Sequence, residues 1–141
     1  MVLVERKYNE VSHEMSLQKI TYVEDEPDIR EIARIALADI GGFELDLCES
    51  GPEAVRRCSE FHPDMFLLDV MMPGMDGMET FRALRAIPLF AHTPIAFMTA
   101  KVQDHEIRHY RDLGVAGVIV KPFDPVTLAD SVRRLWEQSR H

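Results

Sequence analysis

The chain has 141 residues, enough for one domain with its own core and few for two. Its hydrophobic and charged fractions, 46% and 28%, are ordinary for a folded soluble protein, and a formal net charge of -8 argues against a basic face for direct binding to nucleic acid. Two cysteines, Cys48 and Cys58, are too few for a disulfide framework or a Cys-rich metal site, and free thiols fit a reducing cytoplasm. No apolar run approaches the ~18 residues of a membrane span, and the charged opening MVLVERKYNEVSHEMS lacks the apolar region of a signal peptide.

Residues 1–16 are polar without a clear period and read as a tail or an extra helix. From Leu17 short apolar runs alternate with amphipathic segments. Lys19–Val23 predicts the first strand. Ile29, Ile32, Ala33, Ala36, Leu37 and Ile40 follow helical spacing and predict one buried helix face, closed by Gly41-Gly42. Phe43–Cys48 predicts a second strand, and Ser50 with Pro52 opens a helix to about Glu60. A third strand over Asp64–Asp69 precedes a helix capped by Asp76 and running to about Ala86. A fourth strand lies at Pro94–Met98, with a helix from about Gln103 to Leu113 stopped by Gly114. A fifth lies at Ala116–Val120, with a final helix from Asp124-Pro125 that buries Leu128, Val132, Leu135 and Trp136.

Five β-α units with apolar strands predict an α/β fold: a doubly wound, flavodoxin-like (βα)5 parallel sheet in the order 2-1-3-4-5. Functional groups in such a sheet stand at the carboxyl ends of the strands. The first strand ends at Glu24-Asp25-Glu26, the third at Asp69, the fourth at Thr99-Ala100 and the fifth at Lys121-Pro122. Strands 1, 3, 4 and 5 are neighbours in that order, so the carboxylates, a hydroxyl and an ammonium converge. Crowded carboxylates without Cys or His point to a hard cation, Mg²⁺ before Zn²⁺. A carboxylate beside that ion is suited to attack phosphorus and form an acyl phosphate, with Thr99 and Lys121 as donors to the developing charge.

The stretches TYVEDEPDIR, FLLDVMMPGMDGMET, AFMTA and VIVKPF resemble the response-regulator receiver domain over residues 17–139. The resemblance implies that Asp69 is the phosphoacceptor, that Glu24 and Asp25 form the acidic Mg²⁺ pair, and that Met71 gives the ion a backbone carbonyl. It also implies that Thr99 and Lys121 contact the phosphoryl group and that Lys121-Pro122 is cis. The implied activity is transfer from a histidine kinase or phosphotransfer protein onto Asp69, catalysing only its own phosphorylation and dephosphorylation. A stand-alone cytoplasmic phosphorelay protein is expected. It would signal through the face of helix four, strand five and helix five to a target protein or a second copy, without contacting nucleic acid or membrane. Two positions depart from the family pattern. The acidic pair is Glu-Asp where Asp-Asp is commoner, which suggests routing Glu24 through water. Three residues before Lys121 stands Val118 where an aromatic is usual.

Other readings are weaker on the residues. A receiver cut from a hybrid kinase or larger regulator has the same chemistry. A binding module whose phosphorylation is vestigial would keep the fold alone. A flavodoxin-type nucleotide site is opposed by the acids after strand one. An aspartate phosphatase carries a second acid two residues after its nucleophile, where this chain has Met71. His105-Glu106-Ile107-Arg108-His109 matches the zinc-protease helix H-E-x-x-H but sits in a highly charged segment and lacks a third ligand at the usual spacings. Met71, Met72, Met75 and Met78 read as loop packing.

Overall fold

The computed structural model of the 141-residue chain describes residues 16–100 and 103–140. The expected tail over 1–16 therefore lies outside the described residues except for Ser16. Elements alternate in chain order: β1 (Lys19–Val23), α1 (Pro27–Arg34, continued as a π-helix over Ile35–Ile40), β2 (Glu44–Cys48), α2 (Gly51–Phe61) and β3 (Met65–Asp69). Then come α3 (Gly77–Arg85), a 3-10 turn (Pro88–Phe90), β4 (Ile95–Thr99), α4 (Asp104–Asp112), β5 (Gly117–Val120) and α5 (Leu128–Ser139).

The sheet has the order β2-β1-β3-β4-β5, and every neighbouring pair is parallel. Parallel neighbours need crossovers, and the helices supply them on both faces. Strand alternation sorts the core into two layers. Ile20, Tyr22, Met65, Leu67, Ala96 and Met98 face Ala33 and Leu37 of α1 and Leu128, Val132 and Trp136 of α5. Val23, Phe66, Leu68, Ile95 and Phe97 face Ala54 and Cys58 of α2 and Phe81 and Leu84 of α3. Cys48 and Cys58 are free, buried thiols. Burial pushes the Cys48 thiol up to about 12, with the Asp46 carboxylate adding to it.

Each predicted strand is present within a residue at each end, and the fold class and strand order are as the sequence implied. Three local readings need correction. Ile32 and Ile40 do not belong to a buried stripe: they are 43% and 52% exposed. The Gly41 N–H reaches back five residues to Ala36 O (3.1 Å), and this wider winding turns Ile40 off the stripe held by Ala33, Ala36 and Leu37. The last helix begins at Leu128, not at Asp124. Asp124 instead closes a turn, its carboxylate accepting from Val126 N (2.9 Å) and its carbonyl from Thr127 N and Leu128 N. The methionines are not one packing cluster, since Met72 is buried and Met71 is 78% exposed.

Candidate functional site

Asp69 ends β3 with its side chain buried, and Oδ1 accepts from the Met71 N–H (3.3 Å). The loop that follows is clamped at both ends. Val70 N donates to Met98 O (3.0 Å), and Gly77 N, at the start of α3, donates to Val70 O (3.0 Å). Gly77 is required there because a Cβ would stand 2.5 Å from Asp69 O and 2.7 Å from Val70 Cα. Asp76 caps α3 with a reciprocal box, accepting from Glu79 N (2.8 Å) while Glu79 Oε1 accepts from Asp76 N (3.3 Å).

Glu24 and Asp25 follow β1, directly beside β3. One carboxylate oxygen each from Glu24, Asp25 and Asp69 lies within 4.8 Å of the others. Glu24 is fully buried and Asp25 half-buried. Lys121 follows β5, its N–H donating to Thr99 O (2.8 Å), and its ammonium stands 2.9 Å from Glu24 Oε1 and 3.4 Å from Asp69 Oδ1. Thr99 ends β4 and is buried, and Lys121-Pro122 is cis. The four strand ends therefore meet, bringing together Glu24, Asp25, Asp69, Thr99 and Lys121. Met71 lies beside them with its side chain in solvent.

The electrostatics follow from burial and crowding. Burial, then the neighbouring Glu24 carboxylate, pushes Asp69 up to about 7, and Lys121 only partly offsets them. Burial alone would lower Lys121, but the Glu24 and Asp69 carboxylates hold it above its ordinary value. An oxygen-only donor set in which acids crowd this closely fits a hard divalent cation. Among the described residues it is the only convergent group of three or more His, Cys, Asp or Glu side chains. His105 and His109 stand exposed on α4, away from any such group.

Two contributors escaped the sequence reading. The Tyr22 hydroxyl donates to Glu24 Oε1 (3.3 Å), and burial, followed by the charges of Glu24 and Asp69, raises its phenol above the ordinary range. Arg30 donates to Glu24 O (2.8 Å) and pairs with Glu49 (3.5 Å), tying α1 to the end of β1. A signal for Tyr22 was available: in a strand it shares a face with the acid two residues on.

Residues 20–133 match the family model for the response regulator receiver domain. The DNA-binding response regulator MtrA of Mycolicibacterium smegmatis is 34% identical over 116 residues, covering 82% of this chain and 49% of that protein. The phosphate regulon transcriptional regulatory protein PhoB of Rhizobium meliloti is 35% identical over 124 residues, covering 88% of this chain and 54% of its own length. The chain thus spans about half the length of these curated relatives. Among solved structures, the chemotaxis protein CheY4 of Vibrio cholerae superposes with a TM-score of 0.78 at 30% identity, covering 85% of this chain and 99% of that one.

Proposed function

The chain belongs to the response regulator receiver family of two-component systems, and from that premise we propose that Asp69 accepts a phosphoryl group from a phosphohistidine on a histidine kinase or phosphotransfer protein. The observation that carries this reading is the Lys121 ammonium set between two buried carboxylates, 2.9 Å from Glu24 and 3.4 Å from Asp69, with Asp25 beside them. An Asp69 carboxylate oxygen attacks phosphorus. The new O–P bond forms as the P–N bond of the phosphoimidazole breaks, and its electron pair stays on the imidazole nitrogen, which takes up a proton. The product is an acyl phosphate on Asp69. Hydrolysis reverses the state: water attacks phosphorus, phosphate leaves, and the carboxylate returns.

Receiver domains generally bind Mg²⁺, and here Asp25, Asp69 and the Met71 carbonyl would hold it, with Glu24 reaching it through water; the ion supplies positive charge against the phosphoryl oxygens. Lys121 gives a point charge to one phosphoryl oxygen, and the Thr99 hydroxyl gives a hydrogen bond. The chain acts on its own Asp69 and on no other substrate. Its expected setting is the cytoplasm. Among the described residues no helix is long and apolar enough to cross a membrane.

The partner surface we favour is the face formed by α4, β5 and α5. Val120 of β5 is exposed, and on the β5–α5 side of that face a groove of about 450 Å³ runs past Val118, Pro122, Phe123 and Leu135. That face would serve a downstream target or a second copy. To test acceptance, the protein is incubated with acetyl phosphate and Mg²⁺. Wild type should gain one phosphoryl group that is labile to acid, alkali and hydroxylamine, as an acyl phosphate is, and Asp69→Asn should gain none. Equal labelling of the two proteins would refute the assignment.

A further inference from the structure

Tyr22 is the largest side chain in β1 and is wholly buried, yet its hydroxyl is directed at the functional site. It lies two residues before Glu24 on the same strand face and donates to Glu24 Oε1 at 3.3 Å. The same oxygen accepts from Lys121 Nζ at 2.9 Å, and Oε2 accepts from Glu26 N at 3.3 Å. Both oxygens of this buried carboxylate are thus engaged by donors of the chain itself. Asp25, the half-buried acid beside it, has no such claim on it among the hydrogen bonds described.

We propose, building on the reading of Asp69 as phosphoacceptor, that Tyr22 is a positioning residue: its hydroxyl turns the Glu24 carboxylate onto Lys121, so that Glu24 binds the ammonium directly and reaches the metal ion only through water. Lys121 is thereby held beside Asp69, ready for the incoming phosphoryl oxygen. The length of Glu24 is part of this device. An aspartate is shorter by one C–C bond, about 1.5 Å. A contact of 3.3 Å drawn back by that much leaves hydrogen-bonding range. Tyr22 and Glu24 are therefore a matched pair, and the hydroxyl loses its purpose once the acid is shortened.

A double-mutant cycle tests this with wild type, Tyr22→Phe, Glu24→Asp and the double variant. Three quantities are read: the rate of acceptance from acetyl phosphate at saturating Mg²⁺, the Mg²⁺ dissociation constant by calorimetry, and the melting temperature. Tyr22→Phe removes one oxygen and no core volume. It should slow acceptance about tenfold, the scale of a lost hydrogen bond to a charged group, and leave the Mg²⁺ constant within about twofold. Glu24→Asp should slow acceptance at least as much, and adding Tyr22→Phe to it should change the rate by less than about twofold. An unchanged rate in Tyr22→Phe, or an equal loss in both backgrounds, would overturn the proposal in favour of packing. A shift in the Mg²⁺ constant as large as the rate loss would make Glu24 a direct metal ligand and overturn it too. Failure of wild type itself to accept phosphoryl would instead remove the parent reading, and this one with it.

Discussion

Asp69 holds a carboxylate at 3% exposure beside a second buried acid, Glu24, and burial is the first cause of its elevation to about 7. In the unfolded chain an aspartate titrates near pH 4. Between about pH 4 and 7, then, the unfolded chain gives up this proton and the native metal-free protein keeps it. The unfolded state binds fewer protons in that window, so stability contributed at low pH is lost as pH rises through it and is level above. Asp69→Asn cannot ionise. In chelator, thermal melts of wild type and variant should be close at pH 4 and separate steadily up to pH 7, the variant higher by several degrees. Parallel melting temperatures across the range would mean that Asp69 is not held protonated by its site. At this scale the sequence was legible wherever a motif fixed the residue type, as at Asp25, Asp69, Thr99 and Lys121. Tyr22 was missed although it shares a strand face with Glu24, because an apolar strand pattern counts a phenol for its ring and passes over its hydroxyl.

The loop between β3 and α3 shows how elements set Asp69. The helix start presses against the strand end, closed by the Gly77 N–H on Val70 O and by the Asp76–Glu79 box. Asp76 could be read as a cap from the sequence, whereas the close approach that demands Gly77 exists only once β3 and α3 are packed. Gly77→Ala should cost about 1–3 kcal/mol in denaturant unfolding, as overpacking does. It should also slow phosphoryl acceptance, because the atoms displaced are the Asp69 carbonyl and the Val70 backbone. Full stability with wild-type acceptance would show that the loop yields freely. The other boundary differences have similar causes. The π-helical end of α1 and the Asp124 turn before α5 follow from backbone hydrogen bonds that side-chain periodicity does not encode. Helix α4 contains no buried residue and meets the core mainly through Tyr110, whose ring stands edge-on to Phe97 at 4.9 Å. Tyr110 and Val118 border the same core layer, so an aromatic does stand near strand five although position 118 carries none. The charge-rich, lightly anchored character of α4 was visible in the sequence, and its ring contact with β4 was not.

Across the whole molecule, alternating apolar runs fixed five parallel strands, and their order brought four strand ends to one place. That much was legible because a strand buried on both faces and a helix buried on one leave different periods. The edge strands β2 and β5 are less buried than the three between them, which apolar content alone did not separate. The meeting of three acids is an energetic burden on the native state alone, since an unfolded chain disperses them. A cation that binds only the folded form should relieve it: at tenfold its dissociation constant, Mg²⁺ should add about 1.4 kcal/mol of stability. The rise in melting temperature should be much smaller for Asp25→Ala, and an equal rise would put the ion elsewhere. The central claim is that one carboxylate carries the phosphoryl group, and chemical trapping tests it most directly. Protein treated with acetyl phosphate and Mg²⁺ is reduced with borohydride, which converts an acyl phosphate to an alcohol and leaves free carboxylates alone. The peptides are then mapped by mass spectrometry. The account predicts homoserine at position 69 and at no other position. Homoserine at position 25, or intact Asp69 in protein that has taken up phosphate, would contradict it.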